Sequence, residues 1–492
     1  MLKQKKKYNI FDDIQKIAEK YPKNIALQAG NNSLTYFELI TEVKAKSEFF
    51  KNIFNSEYLK CVFVGDDSIE YIIVSLALIA SRSVFVSAGK EITSKKYNSI
   101  LDDISVDITI LQDNYTKKLQ PKNYDLVEKF TVANKSFSIY KSKIKKYNSS
   151  SNEQLQKEFE SLNPAFIRFT SGTTSQSKGV VLSHTTIRER TESANTVFEI
   201  SANDKVLWLL PMAYHFAVTI ILFLRKGCTI DIAVDMQVDK LLHKLVNDKI
   251  TFVYATPFHY SKISKVTNKK IDLPKSIRML ISTAMPLTES IALDFYKKFN
   301  RYLNQAYGII ECGLPCINKK PNINNVLTVG SQVPGSFVSV ALKDEKDNFG
   351  EIVVKSIGMF DAYYSPWHKT KDITCKGFFY TGDIGKFENG CLKIIGRKKN
   401  IINYLGHKVF PEQIENIIME HDAIKEVFVF SEPHTEYGEI IICEIVLHTN
   451  KKVSENELTR FCAKKLSSQE IPNEFRIVKA LQKTPNGKIK RF

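Results

Sequence analysis

The sequence predicts an α/β protein: doubly wound, mostly parallel sheets, then a β-rich stretch, then a small α+β unit. Three observations support that class. Short uncharged strands such as Cys61 to Gly65 alternate with helical patterns as far as about Asn304, and unbroken apolar strands between helices belong in a sheet covered on both faces. Between Gly350 and Ile395 the pattern changes to shorter strands with tight turns, and the last hundred residues read helix, strand, strand, helix. At 492 residues, the chain also exceeds what one ordinary core holds.

Taken in order, Ile10 to Tyr21 is an amphipathic helix with Ile10, Ile14, Ile17 and Ala18 on one face. Cys61 to Gly65 is an apolar strand, Ser68 to Ala80 a buried helix, and Val106 to Leu111 alternates like a further strand. Lys141 to Gln154 is polar, charged and serine-rich, which predicts a surface loop, and the strand Ala165 to Phe169 follows it. Gly350 to Lys355, Gly377 to Asp383 and Cys391 to Ile395 read as short strands. Pro411 to Met419 reads as a helix, and Val427 to Phe430 and Ile440 to Leu447 as strands. Ser454 to Leu466 is a helix opened by an N-cap serine with Glu457 at the third helical position. There is no internal repeat.

The net charge is +17, spread along the whole length rather than gathered in one patch. Nucleic acid is therefore not expected as a partner; an anionic cofactor or an acidic carrier protein suits such a surface better. The eight cysteines contain no CxxC, so neither a zinc site nor a disulfide framework is indicated, and a reducing compartment fits. Basic residues at the start have no apolar stretch behind them, unlike a signal peptide. The uncharged runs Ile72 to Ser81 and Phe216 to Leu224 are about half of what a membrane helix needs and predict buried helices. A cytoplasmic location is the expectation.

Phe169 to His184 reads FTSGTTSQSKGVVLSH. Hydroxyl pairs flank Gly172, and Lys178–Gly179 closes the run. A Thr/Ser-rich loop after a strand can wrap a phosphate chain with N–H groups and hydroxyls, with the lysine adding a point charge. It is not a Walker loop, which needs GxxxxGK[ST]. A solvated turn is the plain alternative for a lone TSG, but a stretch of this length after a buried strand weighs against it.

The segment resembles the phosphate loop of the adenylate-forming superfamily: acyl-CoA synthetases, nonribosomal-peptide adenylation domains and firefly-luciferase-type enzymes. The usual form there is TSGTTGxPKG; here Ser175 and Ser177 replace a glycine and the proline. The resemblance implies that Thr170, Ser171, Gly172, Thr173, Thr174 and Lys178 hold the phosphates of ATP. Four more segments resemble the family in the same order. QAYGIIE, Gln305 to Glu311, is similar to YGxTE; Tyr307 would pack on adenine and Glu311, with Thr170, would hold Mg²⁺. Ile310 replaces the family's phosphate-binding threonine. YTGD, Tyr380 to Asp383, supplies the aspartate expected on the ribose hydroxyls, and Arg397 would contact ribose or phosphate. In RKKNIINYLGHKVFPEQIE, Arg397 to Glu415, Lys399 stands at the hinge position and Gly406 where the chain approaches the thiol arm. TPNGKIKR, Thr484 to Arg491, resembles the terminal PxxGKIxR, making Lys488 the adenylation lysine.

The resemblance covers nearly the whole chain. It implies a large N-terminal domain, 1–396, of doubly wound mixed sheets plus a β-rich subdomain, and a C-terminal domain, 397–492, that rotates about the hinge. It also implies ATP-dependent activation of a fatty or aryl acid and transfer to CoA, or to the phosphopantetheine of a separate acyl carrier protein, since no carrier domain follows Phe492. A weakly active nucleotide-binding homologue is the reading from another class, favoured by Ile310 and Ser175. PMAYHF, Pro211 to Phe216, lies where the family gates its acyl pocket, with Tyr214 at the usual histidine position and His215 one later; a structural histidine is an equal reading. Lys205 to Thr229 contains no acidic residue to balance an α-ammonium, which disfavours amino acids.

Overall fold

The structure is a computed structural model that describes residues 7–143, 150–169, 178–234, 236–266, 270–342, 348–405, 407–435, 437–482 and 489. Among them, two nine-stranded sheets make up the bulk of the fold, with a four-stranded and a five-stranded sheet beyond. In one large sheet Pro164–Phe169, Val84–Ala88, Lys60–Val64 and Ile108–Gln112 run parallel at the centre. Antiparallel strands, including Gly179–Ser183 on one side and Lys135–Ser142 on the other, extend it. The second large sheet is likewise parallel through Lys205–Trp208, Phe252–Ala255, Met279–Ser282 and Asn304–Ile309, and then turns antiparallel at Gly313–Ile317. Both sheets are thus mixed, as the family resemblance implies.

The strand residues divide between two faces by period-two alternation. Cys61, Phe63, Phe85 and Phe166 point into the largest core, between the sheets, whereas Val62, Val64, Val86 and Ile167 point into a second core on the other face. Helix Ile69–Ala80, capped by Ser68, is buried almost all round, and Ile10–Lys20 packs Ile10, Phe11, Ile14 and Ala18 onto the same core. Asn9 caps the latter through its oxygen and ties it to Ile79 through its amide, which donates to the Ile79 carbonyl at 2.9 Å.

The β-rich stretch is the four-stranded sheet Ser336–Ala341, Gly350–Ser356, Phe379–Glu388 and Cys391–Arg397. The C-terminal unit has its own core around Ile414, Val429, Ile441 and Leu458. One expectation needs correcting, and one element is missed in the sequence reading. The loop read from Lys141 to Gln154 is interrupted by helix Ser150–Ser161, whose Phe159 is buried. The hairpin Tyr124–Val132 and Lys135–Ser142 is not evident in the sequence, because one strand has few apolar residues facing inward. Among the described residues no helix is long and apolar enough to cross a membrane.

Candidate functional site

The hairpin Asn304–Ile309 and Gly313–Ile317 carries two of the expected residues on one short piece of chain. Tyr307 lies in its first strand and Glu311 in the turn. The Tyr307 hydroxyl donates to Asp383 Oδ2 at 2.6 Å, and Arg397 Nε lies 2.6 Å from Asp383 Oδ1. Asp383 and Arg397 are partners in the antiparallel ladder, so backbone register alone sets them side by side. The turn before Asp383 uses a glycine for a reason: Gly382 has φ +74°, and the pairing register slips there. Its N–H donates to Glu351 at 3.0 Å, while Asp383 N–H donates to Thr381 Oγ1 at 3.1 Å. The resulting bulge aims the carboxylate inwards. Burial pushes the Asp383 carboxyl above the ordinary carboxylate range, while Arg397 and the Tyr307 hydroxyl pull it back.

Arg397, expected on ribose or phosphate, here pairs with Asp383 and stays half-exposed. The carboxylate still has acceptor capacity, since two oxygens offer about four sites.

Glu311 belongs to a second cluster. The Tyr363 hydroxyl donates to Glu311 Oε1 at 3.0 Å, and Lys178 Nζ stands 4.6 Å from the centre of the Tyr363 ring. The backbone of Glu311 is clamped as well. Phe360 N–H donates to its carbonyl at 2.8 Å. One residue earlier, buried Arg190 donates to the Ile310 carbonyl at 3.0 Å and twice to the Gly358 carbonyl, at 3.0 and 2.7 Å. Gly358 must be glycine: φ is +72°, and a Cβ would come within 2.5 Å of the Arg190 nitrogen. The Ile310 side chain is buried in the main core, so its position calls for an apolar residue, and the expected threonine hydroxyl has no role on that side.

Mg²⁺ suits what is present. Among the described residues no group of three His, Cys, Asp or Glu could cage a metal, and Tyr363 engages one oxygen of Glu311, Oε1. A single carboxylate completed by phosphate oxygens and water is the usual magnesium arrangement, and Glu311 would be its ligand.

Tyr214 and His215, expected at an acyl gate, lie within helix Met212–His215, which runs into a π-helical turn, Phe216–Ile220, a geometry common at functional sites. Thr219 Oγ1 donates to the His215 carbonyl at 2.8 Å. The His215 ring sits edge-on to Trp208 and Tyr254, at 5.9 and 6.1 Å, and the Arg168 guanidinium faces the Tyr214 ring at 5.4 Å. The fold also brings an acid that the local sequence lacks: Asp67 Oδ1 accepts from Met212 N–H at 2.6 Å, with Lys90 Nζ 3.7 Å from its other oxygen. That carboxylate is committed to the backbone and a lysine.

Lys399 is exposed on the 3₁₀ turn Lys398–Asn400, and neighbouring Lys398 pairs with Glu351 at 2.7 Å. Thr170, Ser171, Gly172, Thr173, Thr174, Gly406 and Lys488 lie outside the described residues. Sequence reading alone does not single out Arg168, Arg190 or Tyr363. For Arg168 a signal exists: a charged residue inside an otherwise apolar strand.

The family profile described as AMP-binding enzyme matches residues 14–364, and that described as AMP-binding enzyme C-terminal domain matches 413–488. Long-chain-fatty-acid–CoA ligase FadD13 of Mycobacterium tuberculosis is 27% identical over 334 residues, 66% of this chain and 65% of that protein. 4-Coumarate–CoA ligase 3 of Oryza sativa subsp. japonica is 28% identical over 342 residues, covering 66% and 62%. The chain thus spans about two thirds of the length of the curated relatives it matches. Among solved structures, ATP-bound MatB from Rhodopseudomonas palustris superposes with a TM-score of 0.81 at 19% identity, over 98% of this chain and 97% of that one. O-succinylbenzoate coenzyme A synthetase (MenE) from Bacillus subtilis, in complex with AMP, gives 0.81 at 19% over 97% of each.

Proposed function

The chain belongs to the AMP-binding enzyme family, and from that premise we propose that it activates a carboxylic acid with ATP and passes the acyl group to CoA. The acid lies in the fatty or aryl range spanned by the names of its relatives. The observation that supports this best is the pair of clusters on one hairpin, Tyr307 with Asp383 and Arg397, and Glu311 with Tyr363 and Lys178. The first offers acceptors for ribose hydroxyls; the second offers a carboxylate and a cation for phosphates.

In the first half-reaction a carboxylate oxygen attacks the α-phosphorus, the bond to the bridging oxygen breaks, and pyrophosphate leaves. Two anions must meet, so the residues that matter supply positive charge and N–H donors where charge accumulates. Lys178 and the loop 170–177 would hold the β- and γ-phosphates, and Lys488 the meeting oxygens. Bound Mg²⁺ supplies further charge neutralisation at the phosphates. In the second half-reaction the thiol sulfur attacks the acyl carbon, AMP leaves and the thiol proton is released. For this the unit 397–492 would turn about Lys399, withdraw Lys488 and bring Gly406 to the thiol arm; the boundary at 396/397 belongs to the same proposal.

A net charge of +17 favours a second reading, in which the acceptor is the phosphopantetheine of an acidic acyl carrier protein. Burial of the Ile310 side chain weakens the reading as a weakly active nucleotide-binding homologue, because the substitution serves the core. Pyrophosphate exchange across a panel of acids, followed by thioester formation with CoA and then with carrier protein, tests the set. Exchange that never depends on an acid would sink the proposal.

A further inference from the structure

The gate region holds polar atoms that the proposed adenylation machinery does not use. Arg168, in Pro164–Phe169, stands opposite Ser87 of Val84–Ala88, and Phe63 is Ser87's partner on the next strand. By alternation, Ser87 and Arg168 point to the same face as Phe85 and Phe166, towards the core that contains Tyr71 and Phe216. Three atoms here are sealed from solvent and have no hydrogen-bond partner among the described residues: Arg168 Nε, Ser87 Oγ and Tyr71 Oη. The Arg168 guanidinium keeps one donor on the Tyr214 carbonyl and lies under the Tyr214 ring. Tyr71 feels the charges of Asp67 and Glu91 and the hydroxyl of Tyr214, which puts it at the same end of the core. The residue Arg168 as a whole keeps some solvent contact even though its Nε does not.

All three atoms can donate and none has an acceptor among the described residues, although the Arg168 guanidinium also serves the Tyr214 carbonyl and feels the Glu311 carboxylate. A buried donor without an acceptor is costly, and a cation more so. Such a set is complete only when an oxygen-rich group arrives. The surroundings limit what that group is attached to. Phe63, Tyr71, Phe85, Phe166 and Phe216 form edge-to-face and stacked pairs with ring centres 4.7–6.3 Å apart, and each is at most 2% exposed. A long alkyl chain entering past Tyr214 would have to displace this packed set.

We propose that Arg168, Ser87 and Tyr71 form a subsite beneath Tyr214 that receives a second carboxylate, so that the acid activated is a compact dicarboxylic acid. The second carboxylate takes Arg168 as its charge partner, and the two hydroxyls complete its acceptor sites. This rests on the acid-activating reading and replaces its fatty or aryl range with short alkyl or aryl diacids; Arg168 is then a specificity-determining residue.

The test is pyrophosphate exchange with matched pairs: butyrate and succinate, hexanoate and adipate, benzoate and phthalate. The natural enzyme is expected to prefer at least one diacid to its partner by about tenfold or more in kcat/KM, the equivalent of one buried charged hydrogen bond. Arg168→Met, similar in length and without donors, should collapse that ratio, and Ser87→Ala should reduce it. Should Arg168→Met fail to fold, Ser87→Ala and the melting temperature of the natural enzyme with AMP plus each acid separate the same outcomes. Exchange with monoacids only, or a diacid preference that survives Arg168→Met, overturns the subsite and leaves acid activation standing. No exchange with any acid overturns both.

Discussion

Arg190→Met removes the clamp behind Glu311 while roughly keeping side-chain length, and opposing terms of similar size decide its effect. Arg190 is 2% exposed, and burial pushes its guanidinium from the ordinary 12.5 down to about 10. At about 1.4 kcal/mol per unit, the buried charge opposes folding at neutral pH by about 3 kcal/mol, and methionine relieves that. The substitution also strands the Ile310 and Gly358 carbonyls, which Arg190 serves with three hydrogen bonds. Two unsatisfied buried carbonyls cost about 4 kcal/mol together. The terms nearly cancel, leaving about 1 kcal/mol of destabilisation and a melting shift of a few degrees. Activity has no such offset. Glu311 is fixed through the Ile310 carbonyl and through Phe360, and a displacement near 1 Å at a reacting centre costs roughly a hundredfold. Acid-dependent pyrophosphate exchange should therefore fall by at least tenfold in a protein that still melts cooperatively near the natural temperature. A folded variant exchanging at the natural rate would refute the positioning role, and wholesale unfolding would refute the cancellation.

His184 sets an acid limit on stability. Its Nδ1 accepts from Ile10 N–H at 3.1 Å, and burial lowers its pKa to about 3. The unfolded chain takes up a proton near pH 6.5 while the folded one does not, so stability falls as pH drops below that value, by about 2 kcal/mol by pH 5. Denaturant midpoints from pH 7 to 5 should show this slope, and His184→Gln should flatten it. Asp383→Asn should weaken nucleotide binding measured by calorimetry while leaving the melting temperature unchanged or higher, because burial disfavours the native carboxylate. A parallel loss of both would contradict the assigned role. Lys488→Ala should abolish pyrophosphate exchange yet largely spare thioester formation from supplied acyl-adenylate; equal loss of both steps would count against the lysine.

Much of the site is legible in the sequence because the informative residues are contiguous. Asp383 and Arg397 are announced by YTGD and the strand that pairs with it, and Tyr307 and Glu311 fall within seven residues. Long apolar strands identify the sheets, and Ser454 and Glu457 mark a helix start that the structure places at Glu455. What stays hidden depends on contacts across many residues. Arg190 looks like a surface residue in a polar helix until the chain returns at Gly358, 168 positions later. Tyr363 meets Glu311 only through the short strand Ala362–Tyr363, added to the sheet beside Gly179–Ser183. The hairpin at Tyr124–Val132 shows weak alternation because most of that strand faces solvent.

The proposed chemistry stands or falls on whether an acid cleaves ATP at its α-phosphorus. The decisive measurement is to incubate the full chain with ATP, Mg²⁺, CoA and the acid panel, and then to quantify nucleotide and phosphate products. AMP and pyrophosphate should be released in equal amounts, in step with thioester, and only when an acid is present. ADP and orthophosphate, or AMP formed without any acid, would contradict acid activation by adenylation.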